Sequence, residues 1–226
     1  MIPTYRHDLP AAKVAELLRG ADRPVMLEVG ANEGEDTEIF AAIPGVTLFC
    51  FEPDPRAARL WSQRMEAITL RDNVSVTLVE RALADAPGKA MLHLSGGWPP
   101  DWPREPGQEW TKSSSLCRPT GHLTYSPWCK FTSHVEVEVT TLDLWAADWP
   151  AIGVVDFLWA DVQGAEARLL AGGAEMLRRT RWVYLECHQR PLYEGQAGED
   201  DLRERLAEFD LLARYGENLL FHNRVL

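Results

Sequence analysis

Glu28-Val-Gly-Ala-Asn-Glu-Gly34 places two acids, two glycines and an amide at and directly after the end of Val25–Val29, a mostly apolar run that reads as a buried strand. Gly30 and Gly34 let a backbone turn tightly and come close to a ligand. About 20 residues on, Glu52 ends the next apolar run, where an acid can accept both hydroxyls of an adenosine ribose. The glycine spacing is not G-x-G-x-x-G, so the dinucleotide fingerprint is not met. A second polar group comprises Asp161, Glu166, Glu186 and His188. These follow later apolar runs, at the strand ends where open α/β sheets hold ligands. Glu186-Cys-His188 puts two polar side chains on one side of an extended segment, and His188 could take a proton near neutral pH. Glu166 could equally cap a helix start. The same group could hold Mg²⁺, but no fixed ligand spacing supports that and no metal is expected.

The elements that must position these residues alternate. Residues 11–18 read as a short amphipathic helix, and 46–51 and 75–79 as further buried strands. Asp54 and Pro55 start a helix through Met65 by capping and first-turn chemistry. After a break the pattern resumes: strand 154–160, helix 166–179 with Gly172-Gly173 in its middle, strand 182–186 and helix 201–209. Runs 211–214 and 219–222 flank Tyr215-Gly-Glu-Asn218, a hairpin signal. The order predicts an α/β fold on a mostly parallel sheet that ends in an antiparallel hairpin.

The break is residues 96–134, with six of the 15 prolines and four of the nine tryptophans. Such density of proline opposes a regular ladder or helix, and linkers are rarely so aromatic. The segment therefore reads as an insertion or lid within one domain spanning 1–226. Trp98, Trp102 and Trp110 could stack on an acceptor ring, or else pack a satellite core. Residues 135–139 alternate apolar and charged side chains, as an edge or half-exposed strand would. Trp61, Trp145, Trp149 and Trp182 fall in regular elements and read as core.

Of 226 residues, 46% are hydrophobic and 25% charged, a globular composition. The net charge of −11 disfavours nucleic acid or an anionic membrane as partner. Four scattered cysteines without C-x-x-C spacing read as free thiols, and no signal-peptide pattern or long apolar run occurs; both point to the cytoplasm. Nothing in the sequence signals an oligomeric state.

The motifs resemble those of the FkbM family of S-adenosylmethionine-dependent methyltransferases. The resemblance rests on Glu28-Val-Gly-Ala-Asn-Glu-Gly34 with Thr37, Phe51-Glu-Pro-Asp-Pro55, Ala82-Leu-Ala-Asp85 with Gly88, and Ser113-Ser-Ser-Leu116. It continues through Thr141-Leu-Asp143 and the long block Val155-Asp-Phe-Leu-Trp-Ala-Asp-Val-Gln-Gly-Ala-Glu166. Two positions depart from it: the family usually has Asp at Glu28 and Lys at Trp159.

The resemblance implies a class I Rossmann-like methyltransferase with a seven-strand sheet, using S-adenosyl-L-methionine. It implies that Glu28, Gly30, Asn32, Gly34 and Thr37 surround the methionine end of the cofactor. Glu52 would hold the ribose with Pro53 beside it, and Ala82 and Leu83 would line the adenine. Asp161 would face the methyl group and, with Glu186 and His188, carry catalysis. Ser114, Ser115, Gln163 and Glu166 would join Trp98, Trp102 and Trp110 on the acceptor side. The acceptor implied is a hydroxyl on a sugar or natural product. N-methylation of a small molecule, a nicotinamide-dependent oxidoreductase on a similar sheet, and a non-catalytic scaffold are the rival readings.

Overall fold

A computed structural model describes residues 2–5, 9–104 and 106–226. The chain runs β1 (Thr4–Tyr5), α1 (Ala11–Leu17), β2 (Val25–Val29), α2 (Glu35–Phe40), β3 (Thr47–Phe51), α3 (Pro55–Ala67) and β4 (Ser75–Val79). Then come β5 (Ala82–Leu83), β6 (Gly88–Gly96), α4 (His122–Tyr125), β7 (Lys130–Thr140), α5 (Leu142–Ala147) and β8 (Val155–Ala160). The chain closes with α6 (Glu166–Ala171), α7 (Ala174–Arg178), β9 (Thr180–Glu186), α8 (Glu199–Arg205), β10 (Phe209–Tyr215) and β11 (Asn218–Asn223).

The main sheet has the order β1-β10-β11-β9-β8-β2-β3-β4. Strands β2, β3, β4, β8 and β9 pair in parallel, and β11 runs antiparallel to both β9 and β10. Seven strands match the expected sheet. The eighth, β1, adds two residues in parallel beside β10, too few to leave a sequence period. Tyr215 pairs Asn218 across the Gly216-Glu217 turn, so the hairpin forms where its turn chemistry places it.

The parallel strands read as nearly continuous apolar runs because helices cover both faces. Alternate residues separate into two cores. Leu27, Val29, Phe49, Phe51 and Leu158 pack with α5, α6, α7 and α8. Met26, Leu48, Cys50 and Phe157 pack with Val14, Phe40, Trp61 and Tyr184 on the other side. Trp159, at the departing family position, packs at a tilt on Tyr184 at 4.3 Å and edge-on to Phe40 at 5.0 Å and belongs to this second core. Trp61 and Trp145 are buried as read, whereas Trp149 lies past the end of α5 and is exposed.

Three elements depart from the sequence reading. The helix expected over 166–179 breaks into α6 and α7 at Gly172, where a β-carbon would stand 2.0 Å from the Ala84 carbonyl oxygen. The helix expected over 201–209 ends at Arg205, and Phe209 instead opens β10 opposite Asn223. Residues 135–139 form the half-exposed strand that their alternation predicts, with Val137 and Val139 buried and Glu136 and Glu138 exposed, but they belong to β7, the middle strand of a second sheet ordered β5-β7-β6, rather than to an edge. Strand β6 begins and ends in glycine, so its tertiary partner rather than its own pattern makes it a strand. The irregular part of the insertion is thus the stretch between β6 and β7, interrupted by α4. Among the described residues, no helix is long and apolar enough to cross a membrane.

Candidate active site

The carboxyl ends of β2, β3 and β8 open onto a cleft. Gly30 makes its floor. Its φ is +90°, and a β-carbon there would sit 1.9 Å from the Asp161 carbonyl oxygen. Only glycine lets the loops after β2 and β8 come this close.

Glu52 reaches the cleft from the end of β3. One carboxylate oxygen accepts the Asn32 amide at 2.8 Å and the other the Asp54 amide at 2.7 Å. Burial pushes its pKa up to about 8, against the opposing pull of these two amides. Asn32, Pro53, Ala82 and Leu83 line the same cleft, joined by the apolar side chains of Phe51, Leu92 and Leu116.

Glu28, Gly34 and Thr37 do not line it. Glu28 is buried behind the cleft wall and accepts the Thr37 hydroxyl at 2.5 Å and the Cys50 thiol at 3.2 Å. Trp61 Nε1 donates to Thr37 Oγ1 at 2.9 Å, and Gly34 packs on the Trp61 ring. These residues tie β2 and β3 to α2 and α3, so they shape the glycine loop from behind. Burial holds Glu28 up to about 8.

The front of the cleft comes from the insertion. Thr111, Lys112, Ser114, Ser115 and Leu116 all face it. Thr111 Oγ1 lies 3.0 Å from both Asn32 Oδ1 and Glu33 Oε1, and Lys112 pairs with Glu35. Ser114 donates to Asp54 at 2.8 Å and Ser115 to the Gln163 carbonyl at 2.6 Å. Arg56 joins Asp54, Glu109 and the Ser95 carbonyl, clamping the insertion to α3. The sheet therefore does not build this cleft unaided. Sequence reading missed Thr111, Lys112 and Arg56, which carry no spacing signal of their own.

A second groove of about 1110 Å³ adjoins the first, and Lys112, Asp161 and Gln163 line both. Its other walls include Trp110, Trp128, Tyr125, His122, Glu186 and His188. The Gln163 side-chain amide bridges Asp161 and Glu186, the latter at 2.8 Å, and accepts the Tyr193 hydroxyl at 2.7 Å. His188 lies between Glu186 at 3.0 Å and Glu217 at 2.7 Å. Burial alone would lower its pKa, but the two carboxylates outweigh that and hold it up to about 9. Burial and the Asp161 charge raise Glu186 as well. With its pKa held above neutral by these acidic partners, His188 does not suit the expected role of base.

Glu166 is buried, and its carboxylate accepts the Val162 and Gly164 amides at 3.3 Å. It shapes the loop after β8 and lines neither cleft. Trp110 stands 5.0 Å edge-on to Trp128 in the second groove, while Trp98 and Trp102 pack behind Trp110 at 6.0 and 5.5 Å. Among the described residues, no group of three His, Cys, Asp or Glu side chains could hold a metal ion.

The methyltransferase FkbM domain matches residues 28–216. The chain belongs to the FkbM methyltransferase family. The 2-O-methyltransferase NoeI of Sinorhizobium fredii strain NGR234 is 35% identical over 204 residues, covering 90% of this chain and 79% of that one. Among solved structures, monomeric WbdD aligns with a TM-score of 0.50 at 12% identity, over 96% of this chain and 42% of that one. An rRNA methylase from Streptococcus thermophilus aligns at 0.48 and 10% identity, over 96% and 97% of the two chains.

This methyltransferase carries the family motifs partly as architecture. Thr141 caps α5 by accepting the Leu144 amide, and Asp143 caps α7 by accepting the amides of Glu175 and Met176. Asp85 pairs with Arg168 on the surface.

Proposed function

We propose that this methyltransferase uses S-adenosyl-L-methionine and methylates a hydroxyl of a sugar or natural product. The carrying observation is the meeting of two clefts at Asp161, Gln163 and Lys112. One suits a nucleoside: Glu52 offers two carboxylate oxygens to ribose hydroxyls, and Ala82, Leu83 and Leu116 offer an apolar surface to a base. The other is aromatic and polar by turns, as a hydroxylated ring needs. The name of the NoeI relative favours oxygen as the methylated atom.

S-adenosyl-L-methionine, when bound, supplies an electrophilic methyl group. The chain's own part is to hold an acceptor hydroxyl in line with it, which can contribute about 7–11 kcal/mol through orientation. Asp161, steadied by Gln163, takes the hydroxyl proton. Gln163 and Tyr193 hold Asp161 and Glu186 in register, and cationic His188 keeps the neighbouring carboxylates neutralised.

Glu52→Ala is expected to weaken S-adenosylhomocysteine binding by about tenfold to a hundredfold, the worth of hydrogen bonds to a charged group. Calorimetric titration of both proteins measures it, and equal affinities would remove Glu52 from the site. The same titration has a pH signature. Glu52 must be ionised to accept two hydroxyls, and its pKa lies near 8. Affinity should therefore rise with pH, being about tenfold weaker at pH 7 than at pH 9, and the slope should flatten in Glu52→Gln.

The insertion 96–134 is proposed as the cover of the acceptor groove, anchored by Thr111–Ser115 at the cofactor cleft. Replacing 98–109 with a short Gly/Ser link leaves Trp110 in place. It is expected to spare S-adenosylhomocysteine binding and raise the acceptor KM several-fold, to roughly the extent that a lost cover loosens orientation. Unchanged kinetics would show that this stretch is no cover.

A further inference from the structure

His122 is the first residue of α4 and lines the acceptor groove, yet the sequence patterns assign it nothing. It is 5% exposed, and both ring nitrogens are shielded from solvent without a hydrogen-bond partner. The ring is wedged between Phe131 at 5.0 Å and Tyr193 at 4.9 Å. A buried imidazole with neither nitrogen satisfied costs free energy and calls for a ligand or a structural reason.

Packing supplies no such reason, since a phenyl ring would fill the same slot between two aromatics without stranding polar atoms. The surroundings point to a ligand. Tyr193 donates to the Gln163 oxygen, and Gln163 holds Asp161 and Glu186. His122 thus sits one ring away from the junction of the two clefts. Trp110 and Trp128 present aromatic surface in the same groove. Burial and the neighbouring His188 charge depress the His122 pKa to about 4, so the ring stays neutral and offers one donor and one acceptor.

We propose that His122 binds the acceptor, its ring nitrogens exchanging hydrogen bonds with a sugar hydroxyl other than the one methylated. On this reading acceptor binding turns the ring, or the four-residue α4 that carries it, so that a nitrogen meets the groove. An acceptor lacking that hydroxyl leaves the imidazole unsatisfied and is discriminated against, which makes His122 a specificity determinant. The inference rests on the reading of this groove as the acceptor site.

The test compares His122→Phe, which keeps the ring, with His122→Asn, which keeps a donor and an acceptor. The probes are methyl glycosides of neutral hexoses and deoxyhexoses, with methyl transfer and tryptophan fluorescence as readouts. In His122→Phe the acceptor KM should rise about tenfold, with kcat changed far less. Its melting temperature and S-adenosylhomocysteine affinity should stay at or above those of the parent. His122→Asn should recover much of the KM. A His122→Phe protein with unchanged KM would overturn the assignment and leave His122 as packing alone. If no glycoside is methylated or quenches fluorescence, the sugar acceptor and the role of His122 both fall, while intact S-adenosylhomocysteine binding would still uphold the cofactor cleft.

Discussion

Asp161→Asn is expected to lower turnover by about two to three orders of magnitude, the usual worth of a positioned proton acceptor, while S-adenosylhomocysteine affinity stays within about threefold. The change is isosteric and leaves the backbone contact to Gly30 in place. It removes the charge that the proton transfer needs. Single-turnover methyl transfer at saturating acceptor, set beside calorimetry, separates the two effects. Equal losses in binding and turnover would make Asp161 a cofactor-binding group only. His188→Ala should cost less than Asp161→Asn and leave the acidic limb of the pH–rate profile in place. The reason is that His188 is already protonated between Glu186 and Glu217.

Gly30→Ala is expected to abolish measurable S-adenosylhomocysteine binding and to destabilise the fold by about 2–5 kcal/mol. That figure combines left-handed backbone strain with overpacking. For a domain of this size it corresponds to a fall in Tm of roughly 5–15 °C. The added methyl group would meet the Asp161 carbonyl oxygen at 1.9 Å, forcing apart the two loops that floor the cleft. Gly20→Ala is the control, because Gly20 also has a positive φ but nothing within 4 Å of a β-carbon. It should lose only the strain component and keep its ligand. Thermal melts of the two variants with and without S-adenosylhomocysteine measure the difference. Equal melting shifts in both would mean that the contact with Asp161 carries no weight.

These two sites show where sequence reading reaches. Gly30 and Asp161 stood out because strand ends in an α/β order place ligands, and that order follows from apolar runs of the right length. The same local logic located β2 and β4 to the residue, and Asp54 as the cap of α3, whose carboxylate accepts the Arg56 amide at 3.0 Å. A mostly apolar run of five residues, a capping acid and a two-residue turn each act over a few neighbouring positions, so they are visible in one dimension.

What only the tertiary structure decided depends on contacts between distant residues. Strand β6 exists because β7 pairs with it, and the helix after β8 breaks because the Ala84 carbonyl approaches Gly172. Glu28 and Thr37 belong to a motif that resembles a binding loop, yet their side chains turn to each other and to Cys50 and Trp61 behind it. His188 meets not only Glu186 two residues away but also Glu217, 29 residues on in the hairpin turn. Thr111, Lys112 and His122 reach the clefts from an insertion with no periodicity, and no local pattern marks such residues. Apolar runs, caps and turn residues therefore determined the scaffold, and the motif resemblance pointed to the chemistry. Long-range packing decided which side chains face the clefts and which of them are charged, because burial and through-space charge set both, and neither is a property of neighbouring sequence.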